Sequence, residues 1–325
     1  PRRASAGELV GDTRYPTAAT LGSGRDGGYE GADGLASVSA EQSRDPWGPG
    51  AWWVSAYGAD GTLDGDGATL GLDYTIVGTA GGVDVTLSET VRGGLSAGYG
   101  HTWATVDTLR DRLGFDTYQV GAYARWDAGL VEVDGLVAYA FDDYRARRLI
   151  TFGTFGASAN STGHAHSVAT GVEAGRTLPL GRAYLRPAAG VTHRHLWFGR
   201  FTEEDAGGAN LNVGRGEFDS LGASVELRAG ARVATGFAGT LVPEARVRYT
   251  RELLDPAPRR DARFAATTGP SFTVQGVEVA RDRVEVGARV LGRLTDRLSL
   301  AVDATGDVSP SRSGYALSGT LNFAW

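Results

Sequence analysis

The chain has 325 residues, 49 of them glycine, with 42% hydrophobic residues and a formal net charge of -6. That acidic balance argues against a nucleic-acid partner, which would need a basic stripe, and the absence of cysteine removes disulfides, thiolate metal sites and cysteine nucleophiles. No apolar run reaches about 18 residues, so if the chain crosses a membrane it must do so as a closed barrel, the one strand form that leaves no backbone edge unpaired.

The opening stretch differs from the rest. Methionine is absent even at position 1, which begins Pro1-Arg2-Arg3, so the chain is expected to be a piece of a longer precursor. Gly22-Ser23-Gly24-Arg25-Asp26-Gly27-Gly28 and Glu30-Gly31-Ala32-Asp33-Gly34 have no sustained period and read as linker, and only Leu35–Arg44 suggests a short helix. Residues 1–50 are therefore a tether, the tail of an upstream domain, or a plug.

From Ala51 the alternation of apolar and polar residues predicts strands near 51–59, 69–85, 90–106, 115–126, 130–142, 166–178, 183–197, 219–234, 240–252, 277–293, 297–307 and 314–325. Connections after even strands are short: around Ser88, Asp127-Ala128-Gly129, Pro179-Leu180-Gly181, Thr235–Gly239 and Thr295-Asp296. Those after odd strands run longer, notably Asp143–Ala165, Phe198–Phe218 and Leu253–Gly276. Twelve strands with this rhythm predict an all-β, twelve-stranded antiparallel transmembrane barrel over 51–325, with short periplasmic turns, long outer loops and a periplasmic carboxyl terminus.

Charge placement fixes the faces. In the eighth predicted strand Leu221, Ala223, Val225, Leu227, Ala229 and Val233 oppose Ser224, Glu226, Arg228 and Arg232. In the ninth, Leu241, Pro243, Ala245, Val247 and Tyr249 oppose Glu244, Arg246 and Arg248; Glu285 and Arg289 in the tenth and Asp303 in the eleventh likewise sit opposite apolar rows. Turning such an arginine to lipid would cost roughly 2–4 kcal/mol at the midplane, so the ionic side is expected inside. The candidate lumen lining is Glu173, Arg186, Glu226, Arg228, Glu244, Arg246, Arg248, Glu285, Arg289 and Asp303, charges able to hydrate and hold a polypeptide segment. The last strand, Tyr315–Trp325, carries Tyr315, Leu317, Leu321, Phe323 and Trp325 on one face and Ser318, Thr320 and Asn322 on the other. Aromatics gather near strand ends at Tyr99, Trp126, Tyr139, Phe141, Tyr249, Tyr315, Phe323 and Trp325, as an interfacial girdle requires.

Several local patterns invite other chemistry. Gly94-Leu95-Ser96-Ala97-Gly98 matches a nucleophile elbow but lies within a strand, and Gly22–Gly27 matches a dinucleotide fingerprint without the flanking strand and helix. The pairs His164/His166 and His193/His195 have strand spacing, and Asp142, Asp143, His193 and Asp205 are the residues a loop-rim hydrolase would use. Asp60–Gly67 resembles a loose cation loop without the bidentate glutamate, and Asn160-Ser161-Thr162 matches a glycosylation acceptor. Each reads more simply as structure: no catalytic residue, cofactor or metal is expected.

Trp52-Trp53-Val54 opening the first strand, the Gly94–Tyr99 strand, Val133-Asp134-Gly135-Leu136 with Tyr139, Asp142-Asp143-Tyr144, Leu241-Val242-Pro243-Glu244-Ala245-Arg246, Phe272-Thr273-Val274-Gln275-Gly276 and the Tyr315–Trp325 ending occur in an order that resembles the translocator domain of type V secretion autotransporters. The resemblance spans roughly residues 50–325. It implies a bacterial outer-membrane barrel, not an enzyme, that anchors an N-terminal passenger and helps export it to the cell surface. It also implies a linker through the pore, here around Ser37–Pro49, and a carboxyl-terminal assembly signal made by Tyr315, Phe323 and Trp325. The implied partners are outer-membrane lipid, the chain's own passenger or linker, and the barrel-assembly machinery, with no nucleic acid. The alternatives are a pore for small solutes, with Asp143–Ala165 as its constricting loop, and less favoured, the loop-rim hydrolase.

Overall fold

A computed structural model describes residues 50–65, 71–106, 111–152, 154–235, 239–254, 259–267, 269–275, 281–295, 297–310 and 312–325. The expectations for residues 1–49, including the Leu35–Arg44 helix and the Ser37–Pro49 linker, and for Asp66, Gly67, Gly236–Ala238, Gly276 and Asp296 lie outside the described residues.

Twelve strands make the wall: β1 Gly50–Leu63, β2 Leu72–Thr86, β3 Val91–Val106, β4 Asp111–Asp127, β5 Glu132–Phe152, β6 Phe155–Gly175, β7 Ala183–Phe198, β8 Gly216–Ala231, β9 Gly239–Glu252, β10 Asp282–Arg293, β11 Leu298–Ser309 and β12 Arg312–Ala324. Each pairs antiparallel with its neighbours in sequence, and β12 returns to β1 with Ala51 opposite Ala324 and Leu63 opposite Arg312, so the sheet is closed. Closure satisfies every edge, the condition for a spanning sheet.

The outer face is apolar. Leu95, Val120, Val172, Val225 and Leu317 are all more than half exposed, Leu95 at 68%, while their sequence neighbours turn inward. Inward tyrosines lie flat on the wall where the adjacent strand offers only glycine. A Cβ at Gly230 would stand 2.6 Å from the Tyr184 ring, and one at Gly61 2.7 Å from Tyr74 Cζ. Part of the glycine content thus buys close ring-to-wall approach.

Among the described residues the structure departs most from the sequence expectations in three places. The predicted loop Asp143–Ala165 is strand: β5 and β6 continue as a hairpin to Phe152 opposite Phe155. Alternation persists there, with Tyr144, Ala146 and Arg148 buried and Arg145 and Arg147 exposed. The eighth strand ends at Ala231; Arg232 donates its backbone N–H to the Arg182 carbonyl, and Val233–Thr235 resumes as a short partner of β9.

The third departure is a small second sheet. Phe201–Thr202 and Leu211–Val213 from the connection after β7 pair with each other, and Leu211–Val213 pairs with Arg259–Phe264, which pairs with Phe272–Gln275 from the same connection after β9. Its buried Phe201, Leu211, Val213, Ala262 and Val274 share one apolar core with Leu72, Ile76, Val106, Phe115, Tyr144 and Leu196 on the inner side of the wall. The loop end of the interior therefore holds an apolar core under a four-stranded cap, beside buried charges such as Arg148, Glu203, Arg283 and Asp307.

Candidate functional site

Away from the cap the interior is charged. Arg125, near the end of β4, pairs with Asp134 at the start of β5 at 2.6 Å. Arg186 on β7 binds Asp134 at 3.0 Å, Glu173 on β6 at 2.9 Å and Glu132 at 3.5 Å. Arg248 on β9 reaches over two strands to Glu173 at 3.3 Å and meets Glu226 on β8 at 2.6 Å. Arg228 binds Glu226 at 3.2 Å and Glu244 at 4.0 Å; Arg289 on β10 joins Glu244 at 3.8 Å and Asp303 on β11 at 3.7 Å. Arg246 donates to Thr305 at 3.1 Å, and Tyr184 donates to Glu244.

All ten residues of the candidate lining thus sit on inward positions, and these salt bridges join eight of them, all but Arg246 and Glu285, in one chain across β6 to β11. Glu285 is tied in through Arg283 at 2.9 Å; Arg283 also meets Asp307 at 3.5 Å, and Asp307 meets Arg312 at 3.7 Å. Arg312 then donates to the Tyr74 hydroxyl at 2.5 Å, where the charged network touches the apolar core. Arg125, Glu132, Asp134, Arg283, Asp307 and Arg312 were missing from the sequence-derived set. Their signal is the one that found the others, namely a charge on the same parity as Ser and Thr and opposite an apolar row.

Arginines suit this arrangement because a guanidinium offers five donors in a planar fork and keeps its charge when partly desolvated. Glu173 accepts from Arg186 through one oxygen and from Arg248 through the other, so one carboxylate joins strands that are not neighbours. A network of this kind leaves many exchangeable donors and acceptors facing inward, the chemistry that solvates a peptide backbone. On the β1–β4 side charges are fewer and mix with aromatics: Trp53 donates from its indole to the Tyr123 hydroxyl at 2.8 Å, and Tyr123 donates to Asp84.

The cap is fastened by two buried arginines. Arg148 holds Glu203 in a fork, at 2.9 and 2.5 Å, and donates to the Ala209 carbonyl at 2.9 Å. Arg260 donates to the carbonyls of Gly199 and Gly214 at 2.7 and 2.6 Å and stacks over Phe198 and Phe201. Burial pulls the Arg260 guanidinium below its ordinary pKa, and the nearby Tyr144 hydroxyl pushes it back.

The remaining sequence candidates separate. Asp142 is buried and receives the Thr117 hydroxyl, Asp143 and His193 point outward, and Asp205 binds Asn160, so the residues of the hydrolase reading do not converge. His193 and His195 both contact Asp219, His164 lies 3.6 Å from Asp143, and His166 bonds Tyr139. Among the described residues no group of three or more His, Cys, Asp or Glu could hold a metal ion. Gly94–Gly98 lies inside β3, Asp60–Leu63 belongs to β1, and Asn160–Thr162 lies within β6. Tyr315 is exposed on the outer face, Phe323 stacks on Trp52 at 5.4 Å, and Trp325 ends the chain with its N–H on the Gly50 carbonyl.

Comparison with known proteins gives a consistent result. The family described as Autotransporter beta-domain matches residues 52–305. The fold is similar to the translocator domain of the autotransporter NalP from Neisseria meningitidis, at 14% identity and a TM-score of 0.69, covering 91% of this chain and 99% of that one. It is also similar to the β-domain of the Bordetella autotransporter BrkA, at 18% identity, a TM-score of 0.64 and coverage of 85% and 100%. A third similar structure is the transport unit of AIDA-I from Escherichia coli, at 16% identity, a TM-score of 0.54 and coverage of 85% and 90%. No curated protein matches by sequence.

Proposed function

This chain belongs to the autotransporter β-domain family, and on that premise we propose that residues 51–325 form the translocator while residues 1–50 connect it to the exported passenger. The protein is a translocator barrel of the bacterial outer membrane that serves passenger export. Its family is not enzymatic, and we propose that this barrel catalyses nothing itself.

One observation carries the division of labour. β1 begins at the short-turn end, where Gly50 lies opposite Val85 and beside the terminal Trp325. A segment preceding β1 would start below the bore and enter it past Arg186, Glu173, Arg248, Glu226, Arg228, Glu244, Arg289 and Asp303. In this reading those charges, with Arg246 and Glu285, hold the connecting segment by exchangeable ion pairs and hydrogen bonds. Short turns and the carboxyl terminus face the periplasm and the cap faces outward. Tyr315, Phe323 and Trp325 supply the aromatic end that the barrel-assembly machinery engages, and the apolar outer face meets lipid. The apolar core under the cap disfavours an open pore for small solutes.

Labelling tests the orientation cleanly because the chain has no cysteine. Gly156→Cys, in open space near the β5–β6 tip, is expected to react with an impermeant maleimide on intact cells, and Leu130→Cys, in a short turn, only after the outer membrane is opened. An epitope ahead of residue 1 should be shaved from intact cells by protease. The reverse labelling pattern would overturn the orientation, and an unexposed epitope would overturn export.

A further inference from the structure

On the outer face of β3 to β6, side chains form rows ordered by height. Tyr99, Tyr118, Phe141 and His166 are consecutive cross-strand neighbours, and two residues further toward the loop end lie His101, Asp116, Asp143 and His164. Next come Trp103, Gly114, Arg145 and Thr162, then Thr105, Arg112, Arg147 and Asn160. Below the aromatic row the same face continues with Val120, Ala122 and Ala124 on β4 down to Trp126. Hydrocarbon, aromatic girdle, histidine and carboxylate, and arginine thus follow in the order of the layers of a leaflet.

The arginine row is costly as it stands. Arg112 and Arg147 are directly opposite across β4 and β5, a placement that disfavours like charges, and Arg145 is one step away on the same face. All three are exposed, and among the described residues no carboxylate comes within ion-pair distance of them. The nearest acids, one or two rows closer to the hydrocarbon, are already engaged: Asp116 accepts from Tyr99 at 2.6 Å and contacts His101 at 2.7 Å, with Arg145 only near enough for its charge to act on it, and Asp143 faces His164. Arg147 spends one donor on Ser158. Gly114 leaves a notch between Trp103 and Arg145, where an added Cβ would meet nothing closer than the His101 ring at 3.8 Å.

We propose that Arg112, Arg145 and Arg147 form a binding site for the phosphate group of an anionic lipid of the surrounding leaflet, with its acyl chains lying over Tyr118, Val120 and Ala122. Guanidinium forks bind phosphate oxygens in pairs, and such an anion is the charge complement that the row lacks. An apolar tail directly beneath the charges favours a lipid over a free anion, because the contiguous outer face of β4 covers it. The site requires that these strands stand in a membrane but not that a passenger is exported.

The full chain folded in detergent would be titrated with bis-phosphorylated lipid A and followed by native mass spectrometry. One lipid should be retained per chain, about tenfold more weakly by R112Q/R145Q/R147Q and unchanged by R176Q/R297Q, two exposed arginines at the opposite end. Dephosphorylated lipid A should be retained no better by the parent than by the triple variant. Equal retention of the phosphorylated lipid by parent and triple variant, both heat-modifiable, would overturn the site. Inorganic phosphate alone binding as tightly as the lipid would overturn a lipid as occupant. Should the triple variant not fold, R145Q alone is read in the same titration, and no loss there counts against the proposal. Cysteine labelling of cells fails or succeeds independently of this experiment.

Discussion

The two ends of the interior are built from the same strands by opposite rules. Toward the short turns, Arg186 on β7 and Arg228 on β8 are bound by Glu173, Glu226 and Glu244. Toward the loops, Leu196 on β7 packs with Phe201, Leu211 and Val213 of the cap. Inward positions thus follow what they touch: mutually paired charges toward the short turns, and toward the loops the cap's apolar side chains beside buried pairs such as Arg148 with Glu203. The ionic half is held by directional pairs whose desolvation offsets much of their attraction, whereas the capped half adds buried area and volume to the bonds of Arg148 and Arg260.

Excision of the cap should break this contrast most completely. Replacing residues 200–214 and 254–281 by short Gly-Ser turns in a chain lacking residues 1–49 should raise single-channel conductance in planar bilayers by about tenfold or more over the chain lacking residues 1–49 alone. Equal currents would mean that the apolar core does not seal the mouth. Next in size, Phe115→Ala, at a side chain 2% exposed in that core, should lower unfolding stability by about 3–5 kcal/mol in a urea titration of the folded barrel. Arg248→Gln leaves Glu173 with Arg186 and Glu226 with Arg228 and should cost about 3 kcal/mol, part of it restored by adding Glu226→Gln; a core residue would show no such rescue. The smallest of the set, Gly163→Ala, pushes a methyl against the Tyr144 ring and should cost about 1–3 kcal/mol by the same titration.

Much of the wall was legible in the sequence because a period of two over ten or more residues is a strong signal. Glu226, Arg228, Glu244, Arg246 and Arg248 announce the inner face by the cost of turning them out. The cap gave no such signal. Phe201–Thr202 and Leu211–Val213 are too short to show a period, and the pairing of Leu211 with Phe264 joins segments more than fifty residues apart. The β5–β6 extension was hidden for another reason. Arg145, Arg147 and Arg148 place like residues on both faces, and only the fork from Arg148 to Glu203 explains why one of them is buried. Inward Ile76 beside outward Val77 defeats face assignment similarly, since both sides of the strand are apolar near the cap.

The seam between β1 and β12 sets a condition on how the molecule is made. Thirteen residue pairs, from Ala51 with Ala324 to Leu63 with Arg312, join the two extremes of the described chain. Contacts of such sequence separation form slowly, and until they form two strand edges lie bare to any neighbour. A truncated product therefore cannot close at all, whatever the quality of its first eleven strands. The ring itself acts as a checkpoint on a complete wall, because β12 is the strand that locks β1.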